Sequence, residues 1–135
     1  MTLIEVVVAL AITGLTVGGI ITGYIICSKS TVKDSLLIEA NARAMQRLEE
    51  TRGARWDTSS YPPVDELVAT NFPDITVVLG GAATGSNIVS ATIKTGITQI
   101  STNPPVRRIH VDCIWLFLGT GQITNSIETY RAPDQ

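Results

Sequence analysis

Few side chains in this sequence stand at spacings that support catalysis or metal binding. The 135 residues include one histidine, His110, and two cysteines, Cys27 and Cys113. His110 and Cys113 are three residues apart in a segment with β-strand character, and a strand directs such residues to opposite faces. They would therefore not converge on a metal ion, and Cys27 and Cys113 are expected to stay unpaired thiols. The sequence predicts no metal site and no cofactor.

Enzyme motifs are equally sparse. We recognise no Ser/His/Asp set and no pair of carboxylates at a catalytic spacing. The glycine-rich GGAATG begins at Gly80, but no lysine follows it and no βαβ unit surrounds it, as a phosphate-binding loop would require. We therefore expect that the protein is not an enzyme.

One carboxylate does stand in an unusual place. Glu5 precedes 22 uncharged residues, Val6 to Cys27, which is long enough to cross the hydrocarbon core of a bilayer as a helix. A charge costs about 2.5–3.5 kcal/mol at the centre of such a helix and less near its end. Glu5 is thus either tolerated at the membrane interface or in need of a partner.

The apolar segment divides the chain into two predicted parts. Residues 1–27 form a transmembrane or partner-covered half-helix, and residues 28–135 form a globular part. A secretory signal peptide would begin with positive charge and end at a small-residue cleavage site. Here an acid stands near the start and Lys29 follows Cys27 and Ser28, so we expect the segment to belong to the working protein.

The helical pattern continues past the apolar segment. Apolar residues recur at helical spacing on one side of the chain, namely Val32, Leu36, Leu37, Ala40, Ala44 and Leu48. Glu39 and Arg43 are spaced for an i,i+4 ion pair. Gly53 follows a basic residue and suits a helix C-terminus. The pattern predicts one helix of roughly 50 residues that ends near Gly53, at 1.5 Å of rise per residue.

The second half of the chain has β-strand character. A connecting loop, 54–74, contains the breakers Pro62–Pro63 and Pro73, with a helical turn predicted at Val64–Ala69. Strands are predicted at Ile75–Leu79, Ile88–Lys94 and Ile97–Ser101, and GTG separates the two arms of a hairpin at 106–118 and 123–131. The fold class is therefore α+β, a long N-terminal helix packed on a small antiparallel sheet.

Individual faces of the hairpin can be assigned from the strand period of two. In the first arm, one predicted core face carries Ile109, Val111, Cys113, Trp115 and Phe117. In the second arm Ile123, Ser126 or Ile127, and Tyr130 give a weaker pattern. Arg107, Arg108 and His110 form a small basic group, but a solvated strand face explains them better than a nucleic-acid site. Trp56 and Trp115 are expected to be core or interface anchors.

The opening TLIEVVVALAI resembles the mature N-terminus of type IV pilins and type II secretion pseudopilins. The strong resemblance covers about residues 1–25. A looser resemblance, to minor pseudopilins or pilus-modification subunits, is found in LEETRGARWD and in the segment from Val111 to Asp134. The resemblance implies a pilin-like fold and a helical filament, with roles in adhesion, motility or protein secretion.

The resemblance also implies specific sites and partners. A leader that ends before residue 1 would be removed by a prepilin peptidase, which would then N-methylate Met1. Glu5 would pair with the N-terminal amine of Met1 on a neighbouring subunit during assembly. The protein would reside in the inner (cytoplasmic) membrane before assembly and in a periplasmic or extracellular filament afterwards, as a homo-oligomer with other pilins as further partners.

Two positions depart from the family pattern. Met1 replaces the commoner phenylalanine, and Thr22 stands where many major pilins have a helix-kinking proline. Four glycines lie in this region, Gly14, Gly18, Gly19 and Gly23. Their spacing fits tight helix packing of the small-xxx-small type, and it also fits local loss of helicity on assembly, because each glycine weakens a helix.

Two functions remain open at this point. The leading one is a structural filament subunit, either of a pilus or of a pseudopilus. The alternative is a bitopic module, in which a membrane-anchored β domain binds a ligand outside the cell.

Overall fold

The computed structural model describes residues 2–80, 88–117 and 121–134. Its first element, α1, is one α-helix from Leu3 to Gly53. The elements after it are β1 (Trp56–Asp57), β2 (Val64–Asp65), a 3₁₀ turn (Ala69–Asn71), β3 (Ile75–Leu79), β4 (Val89–Thr102), β5 (Pro105–Phe117) and β6 (Gly121–Arg131). The predicted α+β class and the predicted end of the helix at Gly53 are confirmed.

The contacts of the chain divide it into two compact units. We call residues 1–35 the stalk and residues 36–135 the head. This division falls eight residues after the boundary that the apolar composition predicts at 27/28. The two criteria differ in kind, because the composition marks the end of the uncharged segment and the contacts mark the first helical residue that packs in the head, Leu36.

The head contains a four-stranded sheet in the order β3-β4-β5-β6. All three neighbouring pairs are antiparallel, with Val77 opposite Ala91, Ile93 opposite Cys113 and Val111 opposite Ile127. The two predicted strands Ile88–Lys94 and Ile97–Ser101 are parts of one continuous β4, with a register shift between Gln99 and Ser101. The predicted hairpin is confirmed by β5 and β6, although most of its GTG turn, like most of the turn after Gly80, lies outside the described residues.

The core lies between the sheet and residues 36–51 of α1. Ala40 and Ala44 are fully buried on the side of the helix that faces the sheet. Facing them are the buried residues of β4 and β5, namely Ala91, Ile93, Ile109, Val111, Cys113 and Trp115. The predicted core face of β5 is confirmed, with Phe117 partly buried at its end.

The predicted inward positions of three residues, Val32, Leu37 and Tyr130, are wrong. Val32 and Leu37 are exposed, and the buried stripe of α1 includes Arg47 and Thr51 instead. Tyr130 lies on the outer face of β6, because the odd-numbered residues of that strand face the helix side. The fixed spacing of two along a strand places Ile123 and Ile127 together and excludes Tyr130.

The helical turn predicted at Val64–Ala69 is also wrong. Val64–Asp65 forms β2, paired with β1, and the 3₁₀ turn begins later, at Ala69. Pro62 and Pro63 precede this segment and favour extended backbone. The Glu66 N–H donates to the Arg55 carbonyl at 2.8 Å, and the Arg55 N–H donates to the Glu66 carboxylate at 3.0 Å. These two hydrogen bonds hold the Glu66 end of β2 against Arg55, beside β1, in an extended rather than a helical arrangement.

Candidate functional site

The stalk is the candidate site, since the charge predicted to drive assembly and the largest exposed apolar surface lie there. Every residue from Thr2 to Thr31 is exposed in the isolated chain. The exposed side chains include the large apolar ones Leu3, Leu10, Leu15, Ile20 and Ile26. By length and composition α1 is able to cross a membrane. An apolar surface of this extent marks contact with lipid or with other proteins.

Glu5 closes the first turn of the helix on which it stands. The backbone N–H of Thr2 donates to Glu5 Oε2 at 2.8 Å, and the Thr2 hydroxyl lies 3.2 Å from the same oxygen. The sequence signal is Thr-x-x-Glu ahead of an apolar segment, a capping box that our sequence analysis missed. Met1, the predicted partner of Glu5, lies outside the described residues, so their pairing remains a prediction.

The threonine hydroxyl groups of the stalk are satisfied within the helix. Thr13 donates to the Ala9 carbonyl at 2.8 Å, and Thr22 donates to the Gly18 carbonyl at 2.9 Å. Thr16 and Thr31 donate in the same way to Thr13 and Cys27. Unsatisfied donors are costly in an apolar medium. Because these donors already have acceptors, lipid or apolar helices can cover the threonines of the stalk without that cost.

The four glycines of the stalk lie in regular helix. A Cβ added at Gly14, Gly18, Gly19 or Gly23 would meet no atom of the described residues within 4 Å. Nothing in the described part of the chain therefore requires glycine at these positions. At about 100° per residue, Gly14 and Gly18 lie on one face, and Gly19 and Gly23 lie on a face about 140° away. Packing between chains and unwinding on assembly both remain predictions.

The head contains a second polar cluster, at the end where α1 stops. The Arg107 guanidinium makes two hydrogen bonds of 2.6 Å to the Asp65 carboxylate and lies 4.4 Å above the ring of buried Trp56. It also donates to the Leu67 carbonyl at 2.7 Å and to Gln99 at 3.0 Å. Arg107 thus joins β5 to the connecting loop.

The C-terminal segment completes this cluster. The Trp56 N–H donates to the Asp134 carboxylate at 2.8 Å, and the Asp134 N–H donates to the Trp56 carbonyl at 2.7 Å. Arg131 donates to the Thr51 carbonyl at the end of α1 and to Asp134. Together these contacts attach the last residues of the chain to the connecting loop and to the end of α1. We call Trp56, Asp65, Arg107, Arg131 and Asp134 the clamp.

Hydrogen bonding lowers the pKa of three carboxyl groups in and beside the clamp. The side chain and backbone of Ser59, with the Ser60 N–H, lower the pKa of Asp57 to about 2. Hydrogen bonds from Arg107 lower the pKa of Asp65. Hydrogen bonds from Trp56 and Arg131 lower the pKa of Asp134. These shifts show that the ionised carboxylates stabilise this end of the head.

The remaining candidate side chains are structural or unassociated. Trp56 and Trp115 are each 2% exposed, which confirms that they are anchors in the core. His110 Nε2 lies 2.8 Å from Asp112 on the outer face of the sheet, whereas Cys113 is buried on the inner face. Burial raises the pKa of the Cys113 thiol. Cys27 is an exposed free thiol. Across the described ranges, no three His, Cys, Asp or Glu side chains gather in a way that could hold a metal ion.

Comparison with known proteins adds no identity. No protein-family model, curated protein or solved structure matches this chain. The evidence for a function therefore comes from the residues themselves and from the resemblance noted above for about residues 1–25.

Proposed function

We propose that this chain is a structural subunit of a helical filament of the type IV pilus or type II secretion pseudopilus kind. The observation that carries the proposal is the exposed apolar surface of the stalk, from Leu3 to Ile26, on a helix that continues into the packed half of α1. In the proposal the membrane covers the stalk before assembly, and the stalks of neighbouring subunits cover it afterwards.

The glycine pairs support contact with more than one neighbour. Small residues let helix backbones approach each other closely. Two such pairs on faces about 140° apart suit a helix with partners on different sides, at 3.6 residues per turn. A contact between unlike surfaces leaves each subunit with one free surface of each kind, so it propagates into a filament unless it closes into a ring.

Glu5 sets the register of assembly in this proposal. Its carboxylate faces the N-terminal amine of Met1 on a neighbouring subunit, so that each subunit offers one charge of each sign. At about 4 Å and an effective dielectric of 20 the attraction is roughly 4 kcal/mol before desolvation is subtracted. Processing by a prepilin peptidase and N-methylation of Met1 belong to the same proposal, because methylation leaves a protonatable amine.

The test compares Glu5→Gln with Glu5→Val in cells that produce filaments. Glutamine keeps a side-chain oxygen for the Thr2 N–H and removes only the charge, whereas valine removes both. Both variants should stay in the membrane fraction, and both should lower filament yield at least about tenfold, the factor that corresponds to 1.4 kcal/mol. Thr22→Val is the matched control, because its hydroxyl bonds only within the helix.

The outcomes separate three roles of the stalk. Normal filaments from Glu5→Gln but not from Glu5→Val would mean that assembly needs the helix cap rather than the charge. Normal filaments from both variants would overturn the pairing. Membrane residence without filaments in the unmodified chain would favour the bitopic binding module.

A further inference from the structure

The two edges of the head sheet differ in length and in protection. β3 has five residues and β6 has eleven, and among the described residues neither has a strand beyond it. Long edge strands usually carry lysine, proline or a bulge that prevents pairing with other chains. β6 carries no lysine and no proline, and its register with β5 is continuous from Gly121 to Arg131. Its backbone is therefore open to a further strand.

The flanks of α1 beside the two edges also differ. Asn41 accepts a hydrogen bond from Asn125 of β6 at 3.2 Å, which places Asn41 on the β6 side of the helix. Leu37 and Met45 stand four residues before and after Asn41, hence on the same flank, and they are 41% and 42% exposed. The flank that includes Glu39 lies on the β3 side, where Glu39 accepts the Gly80 N–H at 2.6 Å.

A strand added to β6 would thus lie beside a partly apolar flank that carries no charge between Leu37 and Met45. It would suit that place if it carried no charge and had apolar residues at every second position facing the helix side. β3 has this composition: Ile75, Val77 and Leu79 face inward, and Thr76 and Val78 face outward. The chain itself therefore contains a strand of the chemistry that the β6 edge accepts.

The strand directions permit this pairing between equally oriented copies. Three successive antiparallel pairings make β6 run opposite to β3. A second copy displaced sideways without rotation places its β3 antiparallel to β6 of the first. Four strands at about 4.8 Å correspond to a displacement of about 19 Å. Two copies related by a two-fold axis could instead pair β6 with β6, but that contact closes after one dimer.

We propose that β6 of one copy pairs with β3 of the next, so that the head sheet continues from subunit to subunit. This inference rests on the proposed function, since it gives the heads a contact with the same propagation as the stalks. Leu37 and Met45 of the first copy would then lie over the inward side chains Ile75 and Val77 of the second.

Disulfide trapping in the full-length chain tests this pairing. In a Cys27→Ser background, Val78→Cys on β3 is combined in turn with Gln122→Cys, Thr124→Cys or Glu128→Cys on β6. All four positions are exposed on the outer face. A disulfide needs Cβ atoms about 3.5–4.5 Å apart, and β3 and β6 of one chain are separated by two strands, so only links between chains can form.

At least one combination should give a ladder of three or more linked copies after oxidation, because each copy carries both edges. Each single variant should stop at dimers. Val78→Cys with Leu116→Cys is the control, since Leu116 is exposed on the same face of β5, one strand inside the edge. The control should show no ladder.

Filament formation, seen by electron microscopy of the same preparations, separates the two proposals. Filaments without a ladder in any combination would overturn the edge pairing and leave the filament proposal intact. A ladder without filaments would support the edge pairing and overturn the filament proposal. The absence of ladder and filaments together would overturn both proposals. A β6 single variant that yields as much dimer as the double variant would show β6–β6 contact, and a link to a different protein would show another partner; either result overturns the β6–β3 pairing.

Discussion

The stalk and the head satisfy their polar groups over different distances along the chain. In the stalk every side-chain hydrogen bond of the described residues joins groups three or four residues apart. In the head, Arg47 reaches Thr95, Trp56 reaches Asp134 and Arg131 reaches Thr51. The stalk therefore makes its side-chain hydrogen bonds within its own helix and leaves its apolar side chains exposed, whereas the head has a buried core.

This difference predicts which part needs other molecules. The exposed apolar residues of the stalk must be covered by lipid or protein. The head buries an apolar core between α1 and the sheet, and its exposed apolar residues, among them Ile38, Leu116 and Tyr130, are separated by polar positions.

Removal of the stalk should change the chain from membrane-bound to soluble. A fragment of residues 28–135 lacks the apolar surface that ends at Cys27, so we expect a soluble protein in size-exclusion chromatography. Without stalks to align neighbouring copies, the edge contact between heads should leave it monomeric at dilute concentration. A fragment of residues 36–135 is the matched control, since the contacts divide the chain there. The two fragments should unfold at closely similar temperatures. A dominant aggregated fraction would show that the head needs neighbours to cover it.

Arg47 should matter far more to the head than Arg43, which lies one turn earlier on α1. Arg47 is 8% exposed, and its guanidinium donates to the Pro73 carbonyl at 2.7 Å and to Glu50 at 2.7 Å. Arg47→Ala leaves these acceptors without their partner and removes the contact with the Phe72 ring. We expect a loss of about 2–3 kcal/mol in the free energy of unfolding.

The control is Arg43→Ala, and both variants are measured by urea denaturation of the 28–135 fragment. Arg43 lies 3.8 Å from Glu39 in an exposed i,i+4 pair, so the loss should be at most about 0.5 kcal/mol. Equal losses in the two variants would mean that the buried contacts of Arg47 contribute no more than a surface ion pair.

The burial of Arg47 could not be predicted from the apolar pattern of the sequence. The period of 3.6 residues identifies Leu36, Ala40, Ala44 and Leu48 as a stripe, and the period of two places the core face of β5 correctly, because burial of apolar residues follows these simple periods. Arg47 and Thr51 lie on the same stripe but are polar. Their burial depends on acceptors that the fold supplies, the Pro73 carbonyl for Arg47 and the Leu48 carbonyl for Thr51.

The candidate site divides in the same way. The exposed stalk and the place of Glu5 at its start could be predicted from the sequence, since both are local in the chain. The capping box was also readable, from Thr-x-x-Glu, and was missed. The clamp could not be predicted from the sequence, because Asp65 and Arg107 are 42 residues apart and meet only when β1, β2 and β5 have formed. The partner of Glu5 lies in another copy in our proposal, beyond what one chain can contain.

Acid should weaken the head through the carboxylates of the clamp region. The folded pKa values of Asp57, Asp65 and Asp134 lie below the ordinary value of 3.8. The folded state therefore favours the ionised forms, and their contribution is fully present above the unfolded pKa of about 3.9. It is lost as the pH falls from about 4 towards the folded values, of which that of Asp57 is about 2.

Thermal unfolding of the 28–135 fragment, followed by circular dichroism between pH 7 and pH 2, measures this loss. The midpoint should change little from pH 7 to pH 5 and fall below pH 4. Asp65→Asn should lower the midpoint at pH 7, because Arg107 loses its ionised partner, and should make the fall below pH 4 shallower. Asp74→Asn is the control, since Asp74 meets only Lys94, at 4.0 Å, and both side chains are more than half exposed. If Asp65→Asn and Asp74→Asn gave the same acid profile, the Arg107–Asp65 contact would not be what holds the connecting loop to the sheet, and the head would owe its stability to the apolar core alone.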